Sequence, residues 1–445
     1  MDKYWYCGKR LIHKSISLSI GYQLKFIFLL GYFALFYESN LFALKKKQKS
    51  IVIASVVNKS SDIFSRLSQE YGQGLSMAIS EVHSGKYYLD KFEILEVDSE
   101  NDPKKTYENL ASLIELKKIR LMVGGFSHSV CLKLSELAQE KKIFYFVVGC
   151  QSPVLTSSLG HPYIARTSNN DELKFRALAD YIRSKTSLRK WAYIASSKDE
   201  NHFQWEIFWK HTQSISEKSH LISEKKVRSN TKNFLPIVAH LKKSQPDLIF
   251  DGTSFPSRSD FLGQSLKSSL FDTAFYVTSD FDQQMMDEKI SRQVNGFVSG
   301  FPWYDQKMQK ANPEILKWVQ RYDYRYGKKP SLYSSWGYQT GYTLLQIVLR
   351  SKSLRSEKIG RIVREGFDIT LPNGKLLPFG HLRMRGCDQQ VLPDQWLGRP
   401  QILPDGELRL RDIQIINSKL IAASCLDIMN RRQSASLSGV PHLTK

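Results

Sequence analysis

Cysteine is scarce in this chain: five in 445 residues, at positions 7, 131, 150, 387 and 425, with no two spaced as Cys-x-x-Cys. That spacing excludes the familiar zinc and dithiol redox motifs. Also missing are a Gly-x-Ser-x-Gly elbow, a His-Glu-x-x-His helix and a glycine loop ending in Lys-Ser/Thr, so the common hydrolase, zinc-protease and nucleotide-binding signatures have no foothold. No catalytic activity, cofactor or metal is expected. Long apolar runs are lacking too. Phe26–Tyr37 stands alone and is short for a relaxed membrane span.

That run has a meaningful setting. Lys3, Lys9, Arg10, Lys14 and Lys25 precede it, Leu41-Phe42-Ala43 follows it, and Lys45–Lys47 comes next. The order predicts a secretory signal over residues 1–43, with Leu41 and Ala43 where a signal peptidase reads and a mature chain starting near Leu44; an uncleaved anchor is the alternative. No cysteine stands just after the run, so a lipoprotein anchor has no attachment point. Residues 1–43 carry five Lys/Arg against two acids, so the remainder keeps +18 of the +21 net charge. Such an excess suits nucleic acid or an anionic membrane as well as a basic exported protein. The cations are scattered along the chain without zinc-finger spacing or an aromatic RNA-binding signature, and the expectation is a solvated basic surface with no nucleic-acid partner.

What is present is an ordinary globular composition, 42% apolar and 24% charged, and a repeated alternation of strand and helix. Ile51–Val57 is a β-branched run, and Leu67, Tyr71, Leu75, Ala78 and Val82 recur at helical steps. Strands are predicted at Phe92–Val97, Arg120–Val123 and Ile143–Val148. The Asp98–Pro103 turn reads as a helix start rather than a calcium loop, which would need a distant glutamate. The same pattern restarts after Arg166–Asp171, with strands at Trp191–Ala195, Lys226–Val227, Leu248–Phe250, Ala274–Thr278 and Gly296–Ser299. Trp205 and Trp209, at helical spacing, are expected in the core. Helices follow around Asn312–Tyr326 and Ser335–Arg350, then a β-rich return over 366–425 punctuated by glycine and proline. Asn430–Lys445 is polar and Ser-rich and reads as a frayed tail.

Alternating strands and helices predict a parallel sheet covered on both faces, and two rounds predict two wound lobes with a cleft between them. In such sheets ligands sit at the carboxyl ends of strands. The predicted strands ending at Val123 and Val148 run into Gly-Gly-Phe-Ser127-His128-Ser129 and Gly149-Cys150-Gln151, loops rich in small and hydrogen-bonding residues. Cys150 has no identifiable base partner and is not expected to act as a nucleophile. Export permits disulfides; Cys387 and Cys425 flank the last strand-rich segment and are the expected pair, while Cys131 reads as a buried thiol.

The order of motifs resembles type I periplasmic binding proteins, specifically substrate-binding components of branched-chain amino-acid-type ABC transporters. The resemblance spans Ser50 to Cys425. It rests on Tyr71-Gly72-Gln73-Gly74, the Asp98–Pro103 turn, Val123–Ser129, Ser152-Pro153-Val154-Leu155-Thr156, Tyr163–Thr167, Gln245-Pro246-Asp247, Lys328–Ser331, Trp336-Gly337-Tyr338 and Arg385–Gln390. It implies an α/β fold of two doubly wound, Rossmann-like lobes joined by three crossovers, closing on a ligand like a flytrap. Lobe 1 would comprise 50–168 and 302–378, lobe 2 169–301 and 379–425, and 426–445 a flexible tail. The crossovers would fall near 166–171, 299–304 and 376–381. Carried over residue by residue, Ser127, His128, Ser129, Gly149, Cys150 and Gln151 would meet the ligand from lobe 1. Asn201, His202 and Asp280 would meet it from lobe 2, Asp280 at the place where amino-acid binders carry an acid for the ligand ammonium, with Trp303 or Tyr304 as a wall. His128 stands where the family usually has serine, and Asn201-His202 where it has Tyr-Gly, which removes the usual amino-acid clamp. A histidine there suits a carboxylate in mildly acidic surroundings. The resemblance further implies a periplasmic monomer that takes an amino acid, amide or aromatic or organic acid and hands it to ABC permease subunits; a sensor docking on a membrane receptor or kinase would use the same module.

Overall fold

The computed structural model describes residues 50–437 apart from 61, 86–90, 184–187, 197–198, 216–218, 229, 254–256, 279–295, 300–311 and 403–407. The predicted signal segment therefore lies outside the described residues. The first round runs β1 (Ser50–Val57), α1 (Asp62–Ser84), β2 (Lys91–Asp98), α2 (Pro103–Lys117), β3 (Leu121–Gly124), α3 (His128–Lys141), β4 (Phe144–Val147) and β5 (Ile164–Arg166). The second runs α4 (Asp171–Arg183), β6 (Lys190–Ser196), α5 (Asp199–Ile215), β7 (His220–Val227), α6 (Leu235–Ser244), β8 (Leu248–Gly252), α7 (Ser257–Lys267), β9 (Phe275–Thr278) and β10 (Gly296–Ser299). Then come α8 (Pro313–Tyr326), α9 (Leu332–Ser351), α10 (Ser356–Glu365), β11 (Phe367–Ile369), β12 (Leu382–Arg385), β13 (Gln390–Val391), β14 (Gln395–Ile402), β15 (Leu408–Ile416), α11 (Ser418–Ile421) and α12 (Cys425–Leu437).

Two sheets result. The first has the order β11-β12-β13-β5-β4-β3-β1-β2, and the second β15-β14-β10-β9-β8-β6-β7. In both, the central strands are parallel and the late strands add antiparallel edges. Strands covered on both faces have to be apolar throughout, and β3, β4 and β8 are buried at every position.

Local chemistry accounts for the helix ends. Asp102 Oδ1 accepts from the backbone N–H of Lys104 and Lys105 at 2.9 and 3.0 Å, with Pro103 in the first turn. The acidic turn is thus a cap. Helix α9 is buried from Ser334 to Val348 and packs on α1, where a side chain at Gly74 would collide with the Ser334 carbonyl and one at Gly337 with that of Tyr71. Only glycine permits so close a crossing. In the second lobe, Trp205 is buried, stacks on Tyr193 at 4.7 Å and on Trp209 at 5.2 Å, and joins the core of Phe208 and Phe250.

Two boundaries differ from expectation. Residues 379–391 belong to the first sheet, because β12 pairs with β11 and β13 lies parallel to β5. The Gly/Pro cluster near 376–381 closes a hairpin, with bridges Thr370–Leu376 and Leu377–Gly380, and the passage to the second sheet occurs at Leu392–Asp394, ahead of β14. The supposed tail is helical from Cys425 to Leu437, as α12, and residues 438–445 lie outside the described residues. Ser424 and Asp427 form reciprocal bonds at its start, Ser424 N–H to Asp427 Oδ2 at 3.2 Å and Asp427 N–H to Ser424 Oγ at 3.1 Å, a capping box that ties off the free amides. Cys425 is disulfide-bonded to Cys387, with Cα atoms 5.7 Å apart.

Candidate functional site

Strand β3 ends at Gly124, and Gly124 and the following Gly125 have φ +106° and +81°. A Cβ at Gly125 would stand 2.7 Å from the Tyr145 hydroxyl and 2.8 Å from Cys131 Sγ. The left-handed turn throws the chain back over the sheet, and the loops after β3 and β4 are stitched together by Gly149 N–H to Gly125 O at 2.9 Å and Val148 N–H to Gly124 O at 3.3 Å. The six predicted residues of lobe 1 are thereby brought to two adjacent strand ends, Ser127 leading into α3, His128 and Ser129 on its first turn, and Gly149, Cys150 and Gln151 in the loop after β4.

Ser127 is the N-cap of α3 in extended conformation, yet its side chain makes no capping bond. Its Oγ is buried without a hydrogen bond among the described residues, as is Oε1 of Gln151. Orphaned buried polar atoms are costly and call for an explanation. Ser129 is exposed on the first turn of α3, while Ser127, His128 and Gln151 are half-buried.

Cys150 is buried. Burial opposes ionisation of its thiol, but hydrogen bonds from Cys131 and His128 and the nearby charges of Arg166 and His128 outweigh it and pull the pKa down. Burial pushes the Cys131 thiol up, helped by its bond to Cys150. Holding the loop after β4 is Arg166, fully buried, whose guanidinium donates to the carbonyls of Cys150 and, at 2.6 Å, Ser152. This organising residue is one that sequence reasoning missed as part of the site.

The passages between sheets are polar and buried. Asn169 Nδ2 donates to Gln395 Oε1 at 2.6 Å, Asn170 Nδ2 to Gln390 Oε1 at 3.2 Å, and Gln390 Nε2 to the Ser168 carbonyl at 2.7 Å. First and third crossovers are therefore hydrogen-bonded to each other.

On the second lobe, Asn201 and His202 lie in the first turn of α5, and their side chains lie outside what is described, as do Asp280, Trp303 and Tyr304 altogether. At the carboxyl end of β8 the fully buried Asp251 accepts from the Tyr276 hydroxyl at 2.6 Å and from Thr253 N–H at 2.8 Å. Burial raises its pKa against the pull of Arg258, Thr253 and Tyr276. It shapes the loop that follows β8 and gave no sequence signal beyond an acid ending an apolar strand. No group of three metal-ligating side chains occurs among the described residues.

Doubled wound sheets with polar loops at adjacent strand ends define a two-lobe binding protein of the α/β class. A family model described as periplasmic binding protein matches residues 50–401, and the chain belongs to that family. Among curated proteins it is similar to Leu/Ile/Val-binding protein homolog 4 of Brucella melitensis, 22% identical over 322 residues, covering 69% of this chain and 74% of that one. It is also similar to the leucine-specific-binding protein of Salmonella typhimurium, 23% identical over 248 residues, 55% of this chain and 66% of that one. Among solved structures, an ABC-type branched-chain amino acid transporter protein of Rhodopseudomonas palustris superposes with TM-score 0.70 at 17% identity, covering 83% of this chain and 97% of that one. A solute-binding protein of the same species in complex with 3,4-dihydroxybenzoic acid gives 0.65 at 15%, with 83% and 98% covered.

Proposed function

We propose that this chain is an exported solute-binding protein that captures one small organic molecule between its lobes and delivers it to an ABC permease. The solute is an amino acid, an amide or an aromatic or organic acid. The observation that carries this reading is the pair of buried, unpartnered polar atoms, Ser127 Oγ and Gln151 Oε1, in two stitched loops at the carboxyl ends of parallel strands. A ligand that hydrogen-bonds to both removes their desolvation cost. Arg166 and His128 beside the same loops favour a ligand with an anionic end. Relatives named for leucine or branched-chain amino acids, and a structural neighbour holding a dihydroxybenzoate, support the solute class.

The test is a thermal-shift screen of the purified chain against amino acids, amides, aromatic acids and dicarboxylates. One class is expected to raise the melting temperature, and no response from any class overturns the reading. Asp280→Asn then divides the classes: selective loss of ammonium-bearing ligands assigns an amino acid, and unchanged affinity assigns a neutral or purely anionic solute.

A further inference from the structure

The segment from Ile421 to Arg432 alternates between the two lobes. Arg176 of α4, a helix packed on β10 and β14 of the second sheet, donates to the Ile421 carbonyl at 2.9 Å. Arg385 of β12, in the first sheet, donates to the Ala423 carbonyl at 2.9 Å. Cys425 is bonded to Cys387 in the β12–β13 turn, again the first lobe. One helical face on, Arg431 forms a two-pronged pair with Glu172 of α4, both contacts at 2.8 Å. Arg432 returns to the first lobe, donating to the carbonyls of Ser157 at 3.1 Å and Thr156 at 2.9 Å. Ile428 is buried between these anchors, facing a small cavity that it shares with Pro153 of one lobe and Leu173 of the other.

We propose that this segment is a strap across the lobe junction that limits how far the lobes swing apart and so sets the balance between open and closed forms before ligand arrives. A segment fastened only to one lobe would ride with it. One fastened alternately to both must strain or release when the angle changes, and its fixed anchors are a disulfide and a bidentate guanidinium–carboxylate pair, the most geometrically demanding contacts available. The alternation lies beside the first crossover, whose Asn169 and Asn170 already bond to the third, so the strap acts close to the pivot. The proposal rests on the reading of the lobes as closing on a solute.

Small-angle scattering of the full chain without added ligand, paired with hydrogen exchange, tests it. The probes are the double variant Arg431→Gln/Arg432→Gln, the variant Cys425→Ser, and a chain ended after Ser424, each checked for native circular dichroism. Release of the strap is expected to speed exchange of the 425–437 amides in the point variants about ten-fold or more. In all three it is expected to shift the radius of gyration upward with a broader distance distribution. Faster exchange with an unchanged radius of gyration overturns the proposal. So does an unchanged radius in the shortened chain, or unaltered exchange in both point variants. The thermal-shift screen is scored separately: a chain that opens on strap release but answers no solute fails as a binding protein, whereas one that binds yet ignores strap release fails only here.

Discussion

At the scale of residues, the two loops of the first lobe carry opposite kinds of cost. Gly125 has φ +81° and no room for a Cβ beside Tyr145 and Cys131, so Gly125→Ala is expected to destabilise the fold by about 1–3 kcal/mol in urea denaturation. Gln151→Ala removes an acceptor that the protein leaves unsatisfied. It is expected to leave the urea midpoint unchanged or higher while weakening the identified ligand by about 1–3 kcal/mol in calorimetry. A loss of stability in that variant means the side chain has a protein partner and the loop is not waiting for a ligand. These loops are legible in sequence because small polar residues after an apolar run have few purposes in a wound sheet. Arg166 is not legible in the same way. A cation ahead of Thr-Ser-Asn-Asn-Asp reads as solvated, and only the fold reveals that its guanidinium is enclosed and bonded to the backbone of the loop after β4.

Among the elements, α12 shows how a polar sequence misleads. Its composition suggests fraying, yet Ser424 and Asp427 cap it, a disulfide holds its first residue and two arginines bind inward. The capping spacing Ser-x-x-Asp is visible in sequence, and the partners of Arg431 and Arg432, more than 250 positions away, are not. Cys425→Ser is expected to cost about 2–4 kcal/mol, read as a lower denaturant midpoint, and Ser424→Ala about 1 kcal/mol. Acid acts on the same element through Glu172. Burial alone would raise its pKa, but Arg431 and Arg176, with Arg385 behind them, hold it below the ordinary carboxylate value of 4.5. A depressed carboxylate contributes stability above its unfolded pKa and loses it as pH falls through the folded one. The wild-type chain is therefore expected to lose an acid-sensitive increment of stability below about pH 4.5 that Glu172→Gln lacks. Parallel acid titrations of the two proteins would refute the pair's contribution.

Across the whole molecule, the alternation of strands and helices made two wound lobes legible, while the course of the chain between them was legible only in part. Prolines and glycines at 372–380 carry the strongest turn chemistry of the return segment, and turn chemistry says that a chain reverses, not which sheet it joins next. The true third passage, Leu392–Asp394, is marked by tertiary partners: Gln390 bonds back to Ser168 and Gln395 to Asn169. Asn170 Nδ2 of the first passage in turn donates to Gln390 Oε1 at 3.2 Å, a contact between the two passages. Asn169, Gln395 and Ser418 are buried together, with Gln395 Nε2 donating to Ser418 Oγ at 2.9 Å. Gln395→Leu is expected to strand Asn169 Nδ2 and cost about 1–3 kcal/mol of stability. In a double-mutant cycle with Asn169→Leu the two changes are expected to cost less together than their sum, because neither side chain then strands the other's amide, while the loss of the Asn170 N–H bond to Asn169 Oδ1 is common to both Asn169 variants and cancels. Contact between the passages bears on the response to solute. A ligand at about 100 times its dissociation constant is expected to add roughly 2.7 kcal/mol to unfolding. If that gain reaches both lobes, calorimetry shows a single transition moving upward with ligand. If the lobes unfold separately, only one transition moves, and the buried crossover bonds do not couple the halves of the site.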